Sequence, residues 1–319
     1  MVSGKNALLA AYPGGRTLEN PIFFLAFSGF TRQCCRNPEI QVTAVPNDKT
    51  QYPHVQTITQ WAGGRPWQLE LQHSCAQHAL IWQTRGQTRA IIEGQRRGIG
   101  AHNMLALPAG TMFSIELPRQ SFGQVCLIPA GGRLLMPDEP TLISIQDVRH
   151  QAELSGLLEA LQREQSMERP FADEAVFAFG ELLTVWLRRA IIQHGKPEAK
   201  PSAALRLVRA FAALVERDHT KGQPMSDYAK ALGVTPTHLT RVCRQTAGMT
   251  AADMLLQRSL HAARSALELG DRPITHIAAE LGFNSAAYFS RFVQHHTGAS
   301  PSALRKFAQS QPRPAMPMN

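Results

Sequence analysis

The spacing of apolar positions changes character along the chain. Residues 1 to about 50 show little periodicity and carry turn signals at Pro13-Gly14-Gly15 and Pro46-Asn47-Asp48. From Thr57 to about Pro129, short β-rich runs such as Ala79-Leu80-Ile81-Trp82, Thr88-Arg89-Ala90-Ile91-Ile92 and Phe113-Ser114-Ile115-Glu116-Leu117 alternate with Gly86, Gly94, Gly98, Gly100, Gly110 and Gly123. Strands recurring at roughly 8–12 residues predict a barrel or sandwich. From Ile145 to Gln193 the period becomes helical: Leu154, Leu157, Leu158 and Leu161 share one face, and Val176, Phe179, Leu183, Trp186 and Leu187 share another. These stripes exceed the surface a small β-module offers, which predicts a helical dimerisation segment over 146–195 and a homodimer. Gly195-Lys196-Pro197-Glu198-Ala199-Lys200-Pro201-Ser202 breaks the helical pattern and reads as a linker, 196–202. Helical periodicity resumes at Leu205 and runs through a region bounded here as 203–308, ahead of a Pro/Gln-rich tail, 309–319, expected to be disordered.

A chain of 319 residues, 44% hydrophobic and 18% charged, is long enough for two domains, each with a core. The longest apolar run, Ile22 to Phe30, is half of the ~20 residues a spanning helix needs, so a core strand is expected rather than a membrane partner. Five scattered cysteines without a CxxC pair, Cys34 and Cys35 among them, indicate neither a disulfide framework nor a zinc ribbon, and point to the cytoplasm. Lys and Arg number 33 against 24 Asp and Glu, a net charge of +9. Residues 201–319 hold 14 of the cations and 7 of the anions, so +7 of that charge sits in the last third. An anionic partner is expected there.

The basic third contains a repeat. Ala229-x-x-Leu232-Gly233-Val234 returns as Ala278-x-x-Leu281-Gly282-Phe283, and Leu239-Thr240-Arg241 followed by Gly248 returns as Phe289-Ser290-Arg291 followed by Gly298. Each copy reads as a helix, a glycine turn, a capping residue and a second helix: Thr235 caps with Pro236 at the first helical position, and Asn284 or Ser285 caps the other. A small residue in the first helix (Ala229, Ala278) and an apolar one packing back from the second (Leu239, Phe289) complete a helix-turn-helix pattern. Between the copies, Met249 to Leu269 is periodic enough to form a rigid spacer. Tyr288, Phe289, Phe292 and Phe283 are expected in the core, His295 and His296 in solvent, and Arg258 is either a buried structural cation or a phosphate ligand.

Ile274-x-x-Ile277-Ala278-x-x-x-Gly282-Phe283-x-x-x-x-Tyr288-Phe289-Ser290-Arg291-Phe292, then Gly298-Ala299-Ser300-Pro301-Ser302-x-x-Arg305, resembles the C-terminal pattern of the AraC/XylS family of bacterial transcription regulators. The resemblance spans roughly Arg206 to Arg305. It implies two recognition helices entering successive major grooves of double-stranded DNA, a partnership with RNA polymerase, and a cytoplasmic, nucleoid-associated transcriptional activator that responds to a small-molecule effector, an aromatic acid being one candidate class; a repressor or a ligand-independent activator is the alternative. Carried over by position, the DNA-facing residues are Thr235, Thr237, His238, Thr240, Arg241 and Arg244 in the first copy, and Asn284, Ser285, Ala286, Ala287, Ser290 and Arg291 in the second. Arginine can read guanine bidentately, whereas Ala286 and Ala287 can offer only methyl groups, so the first copy is expected to supply more of the specificity.

The β-module, 1–145, resembles the cupin-like sensor domain found in many of these regulators, through His73-x-x-x-x-His78, Gly86, Gly100 and Pro108-Ala109-Gly110. The fold class these resemblances imply is α+β multidomain, a cupin-like β-barrel with a helical segment followed by an all-α double helix-turn-helix domain. Phe113 stands where a catalytic cupin keeps a metal-binding histidine, so no metal or other cofactor is implied. His54, His73, His78, Trp82 and Phe113 are instead candidate linings of a small-molecule pocket. The chain has no Gly-x-Ser-x-Gly elbow and no phosphate-binding glycine loop, which disfavours an enzyme; a cupin enzyme fused to a DNA-binding domain is the alternative from another class.

Overall fold

The structure is a computed structural model that describes residues 51–118, 120–167, 169–195 and 200–310. Cys34, Cys35, the run from Ile22 to Phe30, residues 196–199 of the linker and the tail beyond 310 fall outside the described residues.

Among the described residues, eight antiparallel strands form two sheets. One has five strands in the order β1 (His54–Thr57), β7 (Phe122–Ile128), β2 (His78–Arg85), β5 (Asn103–Leu107) and β8 (Thr141–Ser144). The other has three, in the order β4 (Gln95–Ile99), β3 (Thr88–Ile92) and β6 (Phe113–Glu116). The two sheets face each other without closing into the barrel that the cupin resemblance implied, because they share no strand. Ile81, Leu105, Leu107, Val125 and Leu127 of the larger sheet meet Ala90, Ile92, Ile99, Phe113 and Ile115 of the smaller. Short helices α1 (Ile58–Trp61) and α2 (Trp67–Glu70) link β1 to the rest.

The opposite face of the larger sheet is buried too. Leu80, Trp82, Met104, Ala106, Cys126 and Ile128 pack under α3 (Val148–Ser166) and α4 (Ala172–His194). A sheet covered on both faces reads as a continuous apolar run, which is why β2 is His-Ala-Leu-Ile-Trp rather than an alternation. The helical stripes are spent on this contact: Leu154, Leu158, Leu161, Val176, Leu183, Trp186 and Leu187 are all buried within the monomer. These residues therefore do not face a second protomer. The larger sheet, a two-sided layer, supplies the surface that a barrel exterior would have lacked.

The C-terminal third comprises α5 (Ala203–Asp218), α6 (Met225–Ala231), α7 (Pro236–Thr246), α8 (Ala251–Leu269), α9 (Ile274–Glu280), α10 (Ala286–Thr297) and α11 (Pro301–Ser310). It has two cores. Val208, Phe211, Val215, Leu239 and Val242 build the first, and Ile277, Ala278, Phe289, Val293 and Leu304 the second. Helix α8 belongs to both, giving Ala251 and Met254 to one and Ala263 and Leu267 to the other. Its 19 residues span about 28 Å at the usual rise.

Candidate nucleic-acid interface

In the first copy, Gly233 turns the chain at φ 67° and Thr235 starts α7. The Thr235 hydroxyl accepts the His238 backbone N–H at 3.2 Å, and Pro236 occupies the first helical position, where no N–H is needed. Leu239, Val242 and Cys243 are buried, which leaves Thr237, His238, Arg241 and Arg244 exposed and Thr240 half-buried. Pro236, Thr237, Thr240, Arg241 and Arg244 line an open groove of about 430 Å³. Arg241 Nη2 lies 3.2 Å from His238 Nδ1, and because a guanidinium can only donate, the imidazole accepts there.

The second copy repeats the design. Gly282 turns at φ 73°, and Ser285, rather than Asn284, caps α10 by accepting the Tyr288 N–H at 3.1 Å. Its turn is enclosed where the first is open. A β-carbon on Gly282 would lie 2.2 Å from the Thr220 carbonyl oxygen, and one on Gly222 would lie 2.4 Å from the Gly282 carbonyl oxygen, whereas one on Gly233 would meet nothing within 4 Å. The turn that follows α5 thus braces the second copy against the first.

The caps put the two recognition helices in register. Pro236, Thr237, His238, Thr240, Arg241 and Arg244 correspond to Ala286, Ala287, Tyr288, Ser290, Arg291 and Gln294 at a constant offset of 50. Ala286, expected to face DNA, is half-buried with its methyl against the second core, whereas Pro236 at the matching position is exposed in the groove of the first copy. One assignment changes. Tyr288, expected in the core, is 54% exposed, with its ring against Phe283 at 5.9 Å. It stands where His238 stands in the first copy, and the repeat register is the signal that would have found it; the same register adds exposed Gln294. Ala287 and Arg291 are exposed and Ser290 half-buried, while Phe289 is fully buried. His295 and His296 are exposed, as expected.

Arg258 is a structural cation. Its Nε and Nη2 donate to Glu216 at 2.7 and 2.8 Å, and Ser74 of the β-module donates to the same carboxylate at 2.7 Å. Burial opposes ionisation of Glu216, but the hydrogen bonds and charge of Arg258 prevail and hold its carboxyl below the ordinary value. Beside this cluster the rings of His73 and His261 stack at 4.5 Å, and burial pushes His73 down to about 4 and His261 well below its ordinary value. A second polar contact joins Arg65 to Glu268, which also pairs with Arg264, whose guanidinium lies over Trp67 at 4.3 Å.

Of the five candidate pocket residues, His73 and Phe113 meet at 4.2 Å, but beside α8 of the C-terminal third. Trp82 points to the opposite face of the larger sheet from Phe113. His54 Nδ1 accepts from Gln165 of α3 at 2.9 Å, and His78 Nδ1 accepts the Ala109 N–H at 3.0 Å. The five do not converge on one lining, because β2 sends alternate side chains to two different layers.

Residues 228–306 match the sequence model of a helix-turn-helix domain. The Msm operon regulatory protein of Streptococcus mutans is 24% identical over 147 residues, which is 44% of this chain and 53% of that protein, so the chain matches about half of that relative's length. Among solved structures, ToxT from Vibrio cholerae is similar over 82% of this chain and 100% of its own at 14% identity and a TM-score of 0.39. An AraC-type DNA-binding domain-containing regulator from Chromobacterium violaceum is similar over 35% of this chain and 99% of its own, at 24% identity and a TM-score of 0.31.

Proposed function

We propose that this chain, whose C-terminal third is a helix-turn-helix domain of the AraC type, binds double-stranded DNA sequence-specifically and regulates transcription. One observation carries the reading: two capped recognition helices, in register and tied by one continuous spacer, each present polar and cationic side chains from their first two turns. The concentration of +7 in residues 201–319 suits a phosphate backbone. In this reading the β-module responds to an effector, and RNA polymerase is the partner of the bound protein. Selection of duplexes from a randomised pool, followed by titration against salt, tests it. With about six phosphate contacts the log–log slope of affinity against salt is about −5; recovery of no enriched sequence would reject the proposal.

A particular stripe on α4 favours a homodimer. Ala175, Ala178, Leu182, Val185, Arg189 and Ile192 follow one another at alternating steps of three and four, the spacing of a coiled-coil seam, and none of them is fully buried. Leu182 is 53% and Ile192 84% exposed. This seam lies beside the buried stripe centred on Leu183, so Leu182→Glu separates protomers and leaves the fold intact. Leu183→Glu places a charge in the core and unfolds the helix layer. Sedimentation of both variants with circular dichroism distinguishes the two faces, and a monomeric wild-type chain would remove the dimer.

A further inference from the structure

The C-terminal ends of the two recognition helices are closed differently. In the second copy, Thr297 lies at the end of α10 with its hydroxyl within hydrogen-bond distance of the Val293 and Ala299 carbonyls, 2.7 and 3.1 Å, while accepting the Ala299 N–H at 3.2 Å. The register puts Ala247 at the corresponding place in the first copy, followed by Gly248 at φ 73° where the second has Gly298 at φ 74°. The hydroxyl at the end of α7 is that of Thr246, which donates to the Val242 carbonyl at 3.1 Å. The Ala247 and Gly248 carbonyls accept from Arg96 of the β-module, whose Nε donates to Ala247 O at 2.9 Å and Nη2 to Gly248 O at 3.4 Å. A β-carbon on Gly248 would fall 1.8 Å from Arg96 Nη2, so the glycine leaves the space that the guanidinium fills.

The β-module is seated to make this contact. Glu93 and Gly94 both have positive φ, 48° and 72°, and form the two-residue turn between β3 and β4. At Gly94 the hairpin backbone approaches α5 so closely that a β-carbon would lie 2.1 Å from Val208 Cγ1 and 3.2 Å from Met254 Cε. Arg96 follows two residues later on β4, an edge strand. A cation at a helix C-terminus offsets the negative end of the helix dipole and satisfies carbonyls that lack a helical partner.

We infer that Arg96 is a positioning residue for DNA reading: it caps the first recognition helix from another domain, so that docking of the β-module sets how the first copy reads its half-site while the second copy is self-sufficient. This rests on the DNA-binding reading above. The exposed positions of Thr237, His238, Arg241 and Arg244 leave the reading face of α7 open with Arg96 in place, so the contact supports binding rather than occluding it.

The test uses the full chain and a duplex that the wild type selects from a randomised pool, with either half-site scrambled in turn. Arg96→Ala is expected to lower affinity about five-fold on the intact duplex and on the one whose second half-site is scrambled, and to change little where the half-site under α7 is already scrambled. Arg96→Lys, which keeps the charge, restores part of the loss. Hydrogen exchange of the free protein supplies a readout independent of DNA: Arg96→Ala speeds exchange at 243–249 and leaves 293–299 unchanged. A loss of equal size on both scrambled duplexes, or unchanged binding, overturns the positioning role. Unchanged exchange at 243–249 overturns the cap. If the wild type selects no duplex, the DNA-binding reading has failed instead, and the positioning role falls with it while the exchange result still decides the cap.

Discussion

The two helix-turn-helix copies share a register, a capping scheme and a turn glycine, yet they are held by different means. The first copy has an open turn at Gly233 and a recognition helix whose far end is closed by Arg96 from the β-module. The second has a turn locked between Thr220 and Gly222 and a helix that closes itself with Thr297. A duplicated motif can thus keep its reading geometry while one copy is coupled to a partner domain and the other is braced within its own. The faces differ as well, but less than the two alanines suggest. Pro236 and Ala286 are matching first-turn positions, neither of which carries a hydrogen-bonding side chain, and Tyr288 places a phenol where the first copy has His238.

The strongest way to break the comparison is at the glycines. Gly282→Ala combines a positive φ with a clash against the backbone of the 220–222 turn, and is expected to cost about 3 kcal/mol. Gly233→Ala carries only the conformational penalty, about 1 kcal/mol. Thermal unfolding of both variants measures the gap, and equal losses would show that the brace at Gly282 is not rigid. A smaller effect sharpens the reading faces. Arg241→Ala is expected to lose on the order of 1 to 3 kcal/mol of binding and to relax preference at one base pair if it reads guanine. Tyr288→Ala is expected to weaken binding at the second half-site only, by about 1 kcal/mol, the lower end of what one side-chain contact to a base contributes. A uniform loss across sequences would reassign either residue to the phosphates.

The smallest effect is expected from acid. His73 is buried and neutral with its pKa at about 4 rather than 6.5, faced by His261 and Arg258 from α8, by Glu216 from α5 and by Phe113 from β6. A histidine whose pKa is depressed by docking contributes in full above pH 6.5, and its contribution is lost as the pH falls from 6.5 toward 4. Over that window, exchange in the Trp67–His261 contact is expected to rise before exchange in α10. Simultaneous loosening of both would mean that the β-module supports the two copies equally.

Much of the C-terminal third was legible in the sequence, because helix caps, turn glycines and inward-facing apolar residues act over four or five positions. Thr235, Pro236, Gly233, Ser285 and Gly282 took the roles their chemistry suggested. The aromatic character of Tyr288 points to the core, whereas its register in the repeat, opposite His238, points to the exposed face that it occupies. The helical stripes around Leu158 and Leu183 are legible as apolar faces, but nothing local says that the larger sheet, rather than a second protomer, covers them. The candidate pocket scattered for the same reason: strand alternation separates Trp82 from Phe113, and only pairing in the sheets decides which layer each joins.

Local chemistry written in the chain therefore determined the strands, the helices, the repeat and the side chains at the start of each recognition helix. Tertiary structure alone decided that Arg96 meets Ala247 and Gly248 across 151 and 152 positions, that Glu216 draws in both Arg258 and Ser74, and that His73 stacks on His261. Such contacts join groups whose individual patterns carry no trace of one another. Their strength depends on desolvation and distance, which exist only after the layers have packed.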